Sequence, residues 1–263
     1  MNVVILCAGF ATRMYPLTEN FPKPLLEVAG KPVLDYLIEQ IVSLPDLLAV
    51  HIVTNDRFYD HFQHWYLNKK KGGDFGTISV HIYNDGCVDN ENRLGAAGDL
   101  LLALREIGKP CRLLVSGGDN IYLFPIKPLL EIFQRDKVHC IPALVETDPS
   151  KLQKTGVLEF ADDDYVTKLH EKPAQPPSMW TSPPLYFFQP SVWHRLENFL
   201  ATVGNHDAPG YFIDYLCQLE RVKALKLNAS RLDIGDIKTY QEADRLLGQK
   251  PLELDNLEKL FYR

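Results

Sequence analysis

Four short stretches of this 263-residue chain gather side chains that could handle a phosphorylated ligand. In Ala8-Gly9-Phe10-Ala11-Thr12-Arg13, small residues let the backbone approach an anion closely, so that successive N–H groups can point at phosphate oxygens. Arg13 could add charge-assisted hydrogen bonds to the same oxygens. The stretch lacks the glycine spacing of a dinucleotide site and the Gly-Lys-Ser/Thr ending of a P-loop, so a plain tight turn is the competing reading. About ten residues later, Phe21-Pro22-Lys23-Pro24-Leu25 fixes a lysine between prolines. A lysine held there either meets an anion or is a solvated loop residue.

The second and third stretches supply carboxylates. In Leu113-Leu114-Val115-Ser116-Gly117-Gly118-Asp119-Asn120, the acid lies just past the carboxyl end of an apolar strand, where open α/β sheets bind ligands. The two glycines let the chain turn sharply before Asp119. Arg231-Leu232-Asp233-Ile234-Gly235-Asp236 offers a second carboxylate, Asp233, in a glycine-containing turn. Magnesium takes oxygen ligands and keeps waters, so one or two carboxylates plus triphosphate oxygens suffice to hold it. Either aspartate could instead cap a turn, and spacing alone does not bring them together. The fourth stretch is Glu171-Lys172-Pro173, after a strand. Glu171 could accept from hydroxyls of a polyol phosphate while Lys172 meets its phosphate. His51, His81, His139 and His170 read as strand residues, with His170 the exception to watch because it adjoins Glu171.

The elements that must position these groups alternate between strand and helix. Val3 to Cys7 is wholly apolar, as in a strand covered on both faces. Val33, Leu37, Ile41 and Leu44 mark one face of a helix that Pro32 opens and Pro45 ends. Strands are predicted at 47–54, 77–83, 112–116 and 138–145, with helices at 59–67, 96–107 and 125–135 between them. This order predicts a doubly wound, mostly parallel sheet in a three-layer α/β/α sandwich. After about residue 150 the pattern shifts to a hairpin (156–160 and 165–170) around Asp162-Asp163-Asp164. The five prolines of 172–184 predict an irregular loop. A strand at 185–188, helices at about 191–200 and 212–220, a strand at 222–227 and two closing helical segments follow. The expected organisation is one domain, 1–248, with a change of role near residue 150 and a helical tail at 249–263.

Composition excludes several classes. Hydrophobic residues at 46% and charged residues at 24% fit a globular enzyme and not a disordered binder. The net charge of −6 and the lack of a long basic block argue against nucleic acid as a partner; Lys69-Lys70-Lys71 reads as a solvated helix end. Five scattered cysteines show no metal or redox spacing and are expected to be reduced. The apolar start has no basic leader and is interrupted by Arg13, so neither signal peptide nor membrane span is expected, and the expected location is cytoplasmic.

The run Leu6-Cys-Ala-Gly-Phe-Ala-Thr-Arg-Met-Tyr-Pro-Leu-Thr18, with Pro22-Lys-Pro-Leu-Leu26 and Gly30-Lys-Pro32, closely resembles the N-terminal signature of the sugar-phosphate nucleotidyltransferases. Leu94-Gly-Ala-Ala-Gly98, Gly118-Asp-Asn120, Glu171-Lys-Pro173 and Asp233-Ile-Gly235 match in the family's order, so that the resemblance spans about residues 1 to 245. It implies a glycosyltransferase-A-like, Rossmann-like sheet and an enzyme that joins a nucleoside triphosphate to a sugar 1-phosphate with Mg²⁺. Arg13 and Lys23 would lie on the triphosphate over the loop Ala8–Arg13, Asp119 and Asp233 on magnesium, and Gly95 near base and sugar. Gly156, Glu171, Lys172 and Tyr186 would form the acceptor side. The implied step is in-line attack by a substrate phosphate oxygen, already largely a dianion near neutral pH, with no general base needed.

The chain departs from the family in particular places. Ala11 stands where the family has Gly and crowds the loop; Asn84 corresponds to a base-reading glutamine, which leaves the base open. Pro183-Pro184-Leu185-Tyr186 and Pro209-Gly210-Tyr211-Phe212 differ from the glucose enzymes and leave the sugar open. No hexapeptide repeat follows, so a second, acetyltransferase activity is not expected. Two other readings stand beside this one: a cytidylyltransferase for phosphocholine or another alcohol phosphate, with Trp180, Tyr186 and Tyr211 as walls for an ammonium, and a non-catalytic nucleotide sensor. Leu254, Leu257, Leu260 and Phe261 form a closing apolar stripe that either packs on the 240–247 helix or contributes to a homodimer.

Overall fold

Apolar runs and 3.6-period stretches become strands and helices at nearly the expected places. The computed structural model describes residues 1–161, 163–203, 208–249 and 260–262. The chain opens with β1 (Asn2–Leu6), the short β2 (Glu27–Val28) and β3 (Lys31–Pro32), and helix α1 (Val33–Val42). Then come β4 (Ala49–Thr54), α2 (Tyr59–Gly72), β5 (Ser79–Asn84), α3 (Gly95–Ile107), β6 (Leu113–Gly117) and β7 (Asn120–Tyr122). They are followed by α4 (Lys127–Asp136), β8 (His139–Val145), the short α5 (Pro149–Leu152), β9 (Gly156–Phe160), β10 (Val166–Glu171) and β11 (Trp180–Thr181). The last are β12 (Leu185–Phe188), α6 (Val192–Thr202), α7 (Pro209–Cys217), β13 (Val222–Leu227), β14 (Arg231–Asp233) and α8 (Ile237–Gln249).

Two compact units share the chain, each assembled from three stretches. Met1–Arg93, Ser116–Ile126 and Ser230–Asp255 make the first; Leu94–Val115, Lys127–Ala229 and Asn256–Arg263 make the second. The stretches that carry Asp119 and Asp233 belong to the unit of the N-terminal loop.

In the first unit β4 lies between β1 and β5, parallel to both. All six residues of β4 are buried, as expected of a strand covered on both faces. Helix α2 runs past the predicted end at Leu67 to Gly72, where Gly73 takes φ 81° and closes it. The extra turn has a reason. Lys69 reaches the carboxylate of Asp35, a residue of α1 only 2% exposed that also accepts a hydrogen bond from the Trp65 indole at 2.8 Å. Lys69 is thus a partner of a buried charge and not part of a solvated helix end. A small antiparallel ladder, β7 with β14, was not foreseen. Its strands alternate, so Ile121, Leu232 and Ile234 enter a core with Met14, Val28, Val33, Tyr36 and Ala243. Helix α8 lies on that core through Ala243, Tyr240 and Leu247.

In the second unit β8 carries β13 in parallel along its whole length, while β11 and β12 pair with it antiparallel. The predicted hairpin is β9 with β10, and Asp164 in its turn takes φ 64°; Asp162 lies outside the described residues. The proline-rich stretch is not wholly irregular, since β11 bridges β8 and β9 through Thr181. The run Ser178–Ser182 between the prolines keeps all its N–H groups, and Trp180 and Thr181 within it pair. Of the closing stripe, Leu254 and Leu257 lie outside the described residues. Leu260, fully buried, and Phe261 dock on β13: Asn228 N–H donates to Leu260 O at 2.8 Å, and Leu227 bridges Phe261. The partner is a strand of the second unit and not the 240–247 helix. No helix among the described residues is long and apolar enough to cross a membrane.

Candidate active site

The loop after β1 is fixed by two buried polar side chains. Asn55 donates to the carbonyl of Ala8 at 2.8 Å, and Thr18 donates to the carbonyl of Ala11 at 2.8 Å; neither has any exposure. Thr18 and Met14 N–H converge on one carbonyl and hold Ala11 at φ 49°, ψ 41°. That is the left-handed region, where glycine is at ease and alanine costs about 1 kcal/mol. A side chain added at Gly9 would meet nothing within 4 Å, so the loop's outer face is open. Phe10, 3% exposed, turns into the core and rings with Phe58, so that it can offer only its backbone to a ligand. Thr12 and Arg13 are exposed at the start of a 3-10 turn.

Lys23 opens a second 3-10 turn held by Pro22 and Pro24, and its ammonium is hydrogen-bonded to Oδ2 of Asp119. Asp119 follows β6 and precedes β7. Gly118 is needed there for closeness and not for the turn: a Cβ on it would lie 2.3 Å from Cys7 Sγ, and its N–H donates to Leu6 O at 3.0 Å. Burial alone would raise the Asp119 carboxyl, but the ammonium of Lys23, the guanidinium of Arg231 and the amide of Asn120 outweigh it and hold the group below the ordinary carboxylate range.

The β7–β14 ladder brings the second carboxylate. Asp233 pairs with Asn120, and Ile234 N–H donates to Asp119 O at 3.2 Å. Asp233 is therefore in a strand and not in a turn, and strand alternation turns Arg231 and Asp233 away from the Leu232–Ile234 core. Arg231 lies 3.5 Å from Asp233 Oδ2 and donates to Asn120 Oδ1. Among the described residues no group of three or more His, Cys, Asp or Glu could hold a metal. Two carboxylates fit magnesium only if phosphate oxygens and water complete the shell, which is how that ion is commonly bound. Asn84, at the end of β5, has both ends of its amide engaged: Nδ2 donates to Asp56 at 2.6 Å and Oδ1 accepts from Gly86 N–H at 2.8 Å.

The remaining residues belong to the second unit. Gly95 starts α3 at φ 74°. Gly156 is the cross-strand partner of Glu171, whose side chain is 10% exposed and whose carboxyl is raised by burial against the opposing pull of Lys172. Room for that carboxylate comes from two glycines. A Cβ on Gly210, in the first turn of α7, would lie 2.1 Å from Glu171 Oε2, and one on Gly156 would lie 3.6 Å from it. Lys172 takes φ 49° and keeps 62% of its side-chain exposure, 3.7 Å from Glu171. Tyr186, 5% exposed, packs on Phe188 within β12. His170 pairs with Glu159 at 2.8 Å and is not turned to Glu171's work. Sequence reading missed Asn55, Asn120, Arg231 and Gly210. The signal for Gly210 was a glycine in the first turn of a helix, a position that favours almost any other residue.

In the alternative, phosphocholine reading Trp180 is a candidate wall of an ammonium site. Its ring meets Phe160 and Tyr262, and the ammonium of Lys226 lies 5.5 Å above it, paired with Asp164. The protein's own lysine thus lies over the Trp180 face.

Comparison with known proteins gives the family and the fold. The Nucleotidyl transferase family model matches residues 2–250. The UTP–glucose-1-phosphate uridylyltransferase AglF of Haloferax volcanii is 26% identical over 95% of this chain and 98% of its own length. The bifunctional protein GlmU of Methanocaldococcus jannaschii is 27% identical over 95% of this chain, which spans 55% of that protein. A UDP-glucose pyrophosphorylase structure complexed with UDP-glucose superposes with a TM-score of 0.79 at 18% identity, covering 94% of this chain and 98% of that one. The enzyme of the same name from Acinetobacter baumanii gives 0.74 at 17%, covering 96% and 95%. These likenesses establish the α/β fold of that group, a mixed sheet of mostly parallel strands with helices on both sides. With an N-terminal loop, a lysine and two aspartates in one unit and a family match over nearly the whole chain, this protein belongs to the nucleotidyl transferase family.

Proposed function

We propose that the protein transfers a nucleotidyl group from a nucleoside triphosphate to a sugar 1-phosphate, giving a nucleoside diphosphate sugar and pyrophosphate, with Mg²⁺ as cofactor. The observation that carries the reading is the convergence of Lys23, Asp119 and Asp233 in the unit that also presents the Ala8–Arg13 loop. AglF is named for UTP and glucose 1-phosphate, and a fold neighbour holds UDP-glucose, which favours sugar phosphates as the acceptor class.

In this reading the backbone of Ala8–Thr12, with the guanidinium of Arg13 and the ammonium of Lys23, binds and orients the triphosphate. Asp119 and Asp233 would hold Mg²⁺, which when bound offsets charge that builds on the phosphate oxygens. Glu171 would accept from sugar hydroxyls and Lys172 would meet the acceptor's phosphate. A phosphate dianion is nucleophile enough, so positioning and charge neutralisation do the rest and no proton need be removed.

The test is pyrophosphate release across the four nucleoside triphosphates and a panel of sugar 1-phosphates, with and without Mg²⁺. Release with at least one pair, abolished by chelation, is expected. No release with any pair would sink the reading.

A further inference from the structure

Asn84 is exposed at the carboxyl end of β5, and its amide can face only one way. Nδ2 donates to Oδ1 of Asp56 at 2.6 Å, and Oδ1 accepts from Gly86 N–H at 2.8 Å. A carboxylate only accepts and a backbone N–H only donates, so these partners decide which end of the amide is nitrogen. Turned over, the amide would set oxygen against carboxylate and N–H against N–H. The frame around it is tied as well. Asp56 N–H donates to Cys87 O at 3.0 Å, and Asp85 N–H donates to Thr54 O at 2.9 Å, which joins the turn after β5 to the turn after β4. Among the described residues the amide uses one N–H and one lone pair in this way, so one donor and one acceptor remain for a ligand. Their place in the sheet matters. β1, β4 and β5 are parallel neighbours and Thr54 pairs with Asn84, so the Ala8–Arg13 loop leaves the same sheet edge two strand spacings away, roughly 10 Å. Ligands of open α/β sheets lie along that edge.

From this we propose that Asp56 sets base selectivity by holding the Asn84 amide in one sense. The choice it imposes is between bases with a keto oxygen beside a ring N–H (uracil, thymine, guanine) and bases with an amino group beside a bare ring nitrogen (cytosine, adenine). The inference rests on the nucleotidyl-transfer reading for its ligand. A nucleotide whose phosphates sit at the Ala8–Arg13 loop brings its base toward Asn84, and its ribose and phosphates fix the direction from which the base edge arrives. An amide free to turn over meets both kinds of edge by exchanging its donor and acceptor. A fixed amide meets one kind and sets donor against donor in the other, which leaves desolvated groups unpaired. Asp56 acts through Asn84; it is a positioning residue and need not touch the base.

Isothermal titration of the full chain with UTP, CTP, GTP and ATP in the presence of Mg²⁺ tests this. UTP against CTP and GTP against ATP are pairs alike in size and opposite in edge, and the ratio is read in the pair that binds more tightly. Wild type should prefer one member of that pair by at least about tenfold. In Asp56→Asn, where the new amide can face either way, the ratio should fall to within about threefold. Asn84→Ala should lose the preference as well, and adding Asp56→Asn to it should change the ratio no further. Should Asp56→Asn fail to fold, Asp56→Ser carries the same expectation. A wild type that binds both members alike would overturn the proposal. So would an Asp56→Asn with the wild-type ratio, or a further change of ratio in the double variant. The two readings fail separately. A chain that shows this selectivity but releases no pyrophosphate with any acceptor sinks only the functional reading, and active enzyme whose ratio ignores Asp56 sinks only this one.

Discussion

Asp233 stands opposite Asn120 in a three-residue antiparallel ladder, and this pairing delivers it to the neighbourhood of Asp119 from far along the chain. Two short strands, each too small to be stable alone, persist because their other faces, Ile121, Leu232 and Ile234, enter a shared core. The ladder is what makes a pair out of two separate carboxylates.

Asp119→Asn and Asp233→Asn should therefore each lower kcat/KM by about a hundredfold or more, a cost of some 3 kcal/mol in the transition state, while circular dichroism stays that of wild type. Turnover near wild type in either variant at ordinary magnesium would remove that residue from the metal site.

The acceptor side should respond to crowding at a distance from the nucleotide. Gly210→Ala puts a methyl where Glu171 Oε2 now lies, so the carboxylate must move. KM for the sugar phosphate should rise by about tenfold to a hundredfold with little change in KM for the triphosphate, and Lys172→Ala should show the same bias. A loss confined to the triphosphate would mean that the two ligands have been assigned to the wrong residues.

Ala11 offers a gain instead of a loss. Its left-handed backbone is imposed by Thr18 and Met14, so Ala11→Gly should relieve strain that exceeds the entropy glycine adds to the unfolded chain. A net stabilisation of up to about 1 kcal/mol is expected, seen as a rise in Tm of about 2–4 °C. A lower Tm would show that the loop relaxes without difficulty around alanine.

The second unit has a pH-dependent tie. Burial alone would raise the carboxyl of Glu220, but hydrogen bonds from Arg195, Ser191 and His139 hold it down to about 2. His139 is 2% exposed, and its Nδ1 accepts from Gln189 N–H, so its proton sits on Nε2, toward Glu220 at 2.9 Å. A depressed carboxyl pKa contributes stability that is complete above the unfolded value of 4.5 and is lost as pH falls toward about 2. Glu220→Gln should cost on the order of 2 kcal/mol near neutral pH, with the gap to wild type closing through that acidic window. A gap that does not depend on pH, in urea unfolding followed by fluorescence, would count against the tie.

Leu260, fully buried where the last described residues dock on β13, should be worth about 2–4 kcal/mol when cut to alanine. Light scattering on the same variant gives the assembly state. A change of mass alongside the lost stability would make this contact part of an interface as well as of one chain's fold.

Local pattern alone revealed most elements and the residues from which the candidate site is drawn. An apolar run buried on both faces, a glycine loop beside an arginine and a lysine clamped by prolines are each encoded within a few residues, so β1, α1, the Ala8–Arg13 loop and Lys23 could be read directly. Asp119 and Glu171 were legible for the same reason. Strand length hid β7 and β14, because three residues carry too little periodicity to register against turn chemistry. Partnership was invisible as well. Nothing near Lys69 in sequence announces the buried Asp35, nor does anything near Arg231 announce Asn120. The two glycines beside Glu171, Gly156 and Gly210, come from a strand and a distant helix. Charge pairing, close approach and the meeting of two carboxylates depend on distance in space, which spacing along the chain does not encode; only the packing of strands and helices into their cores decides it.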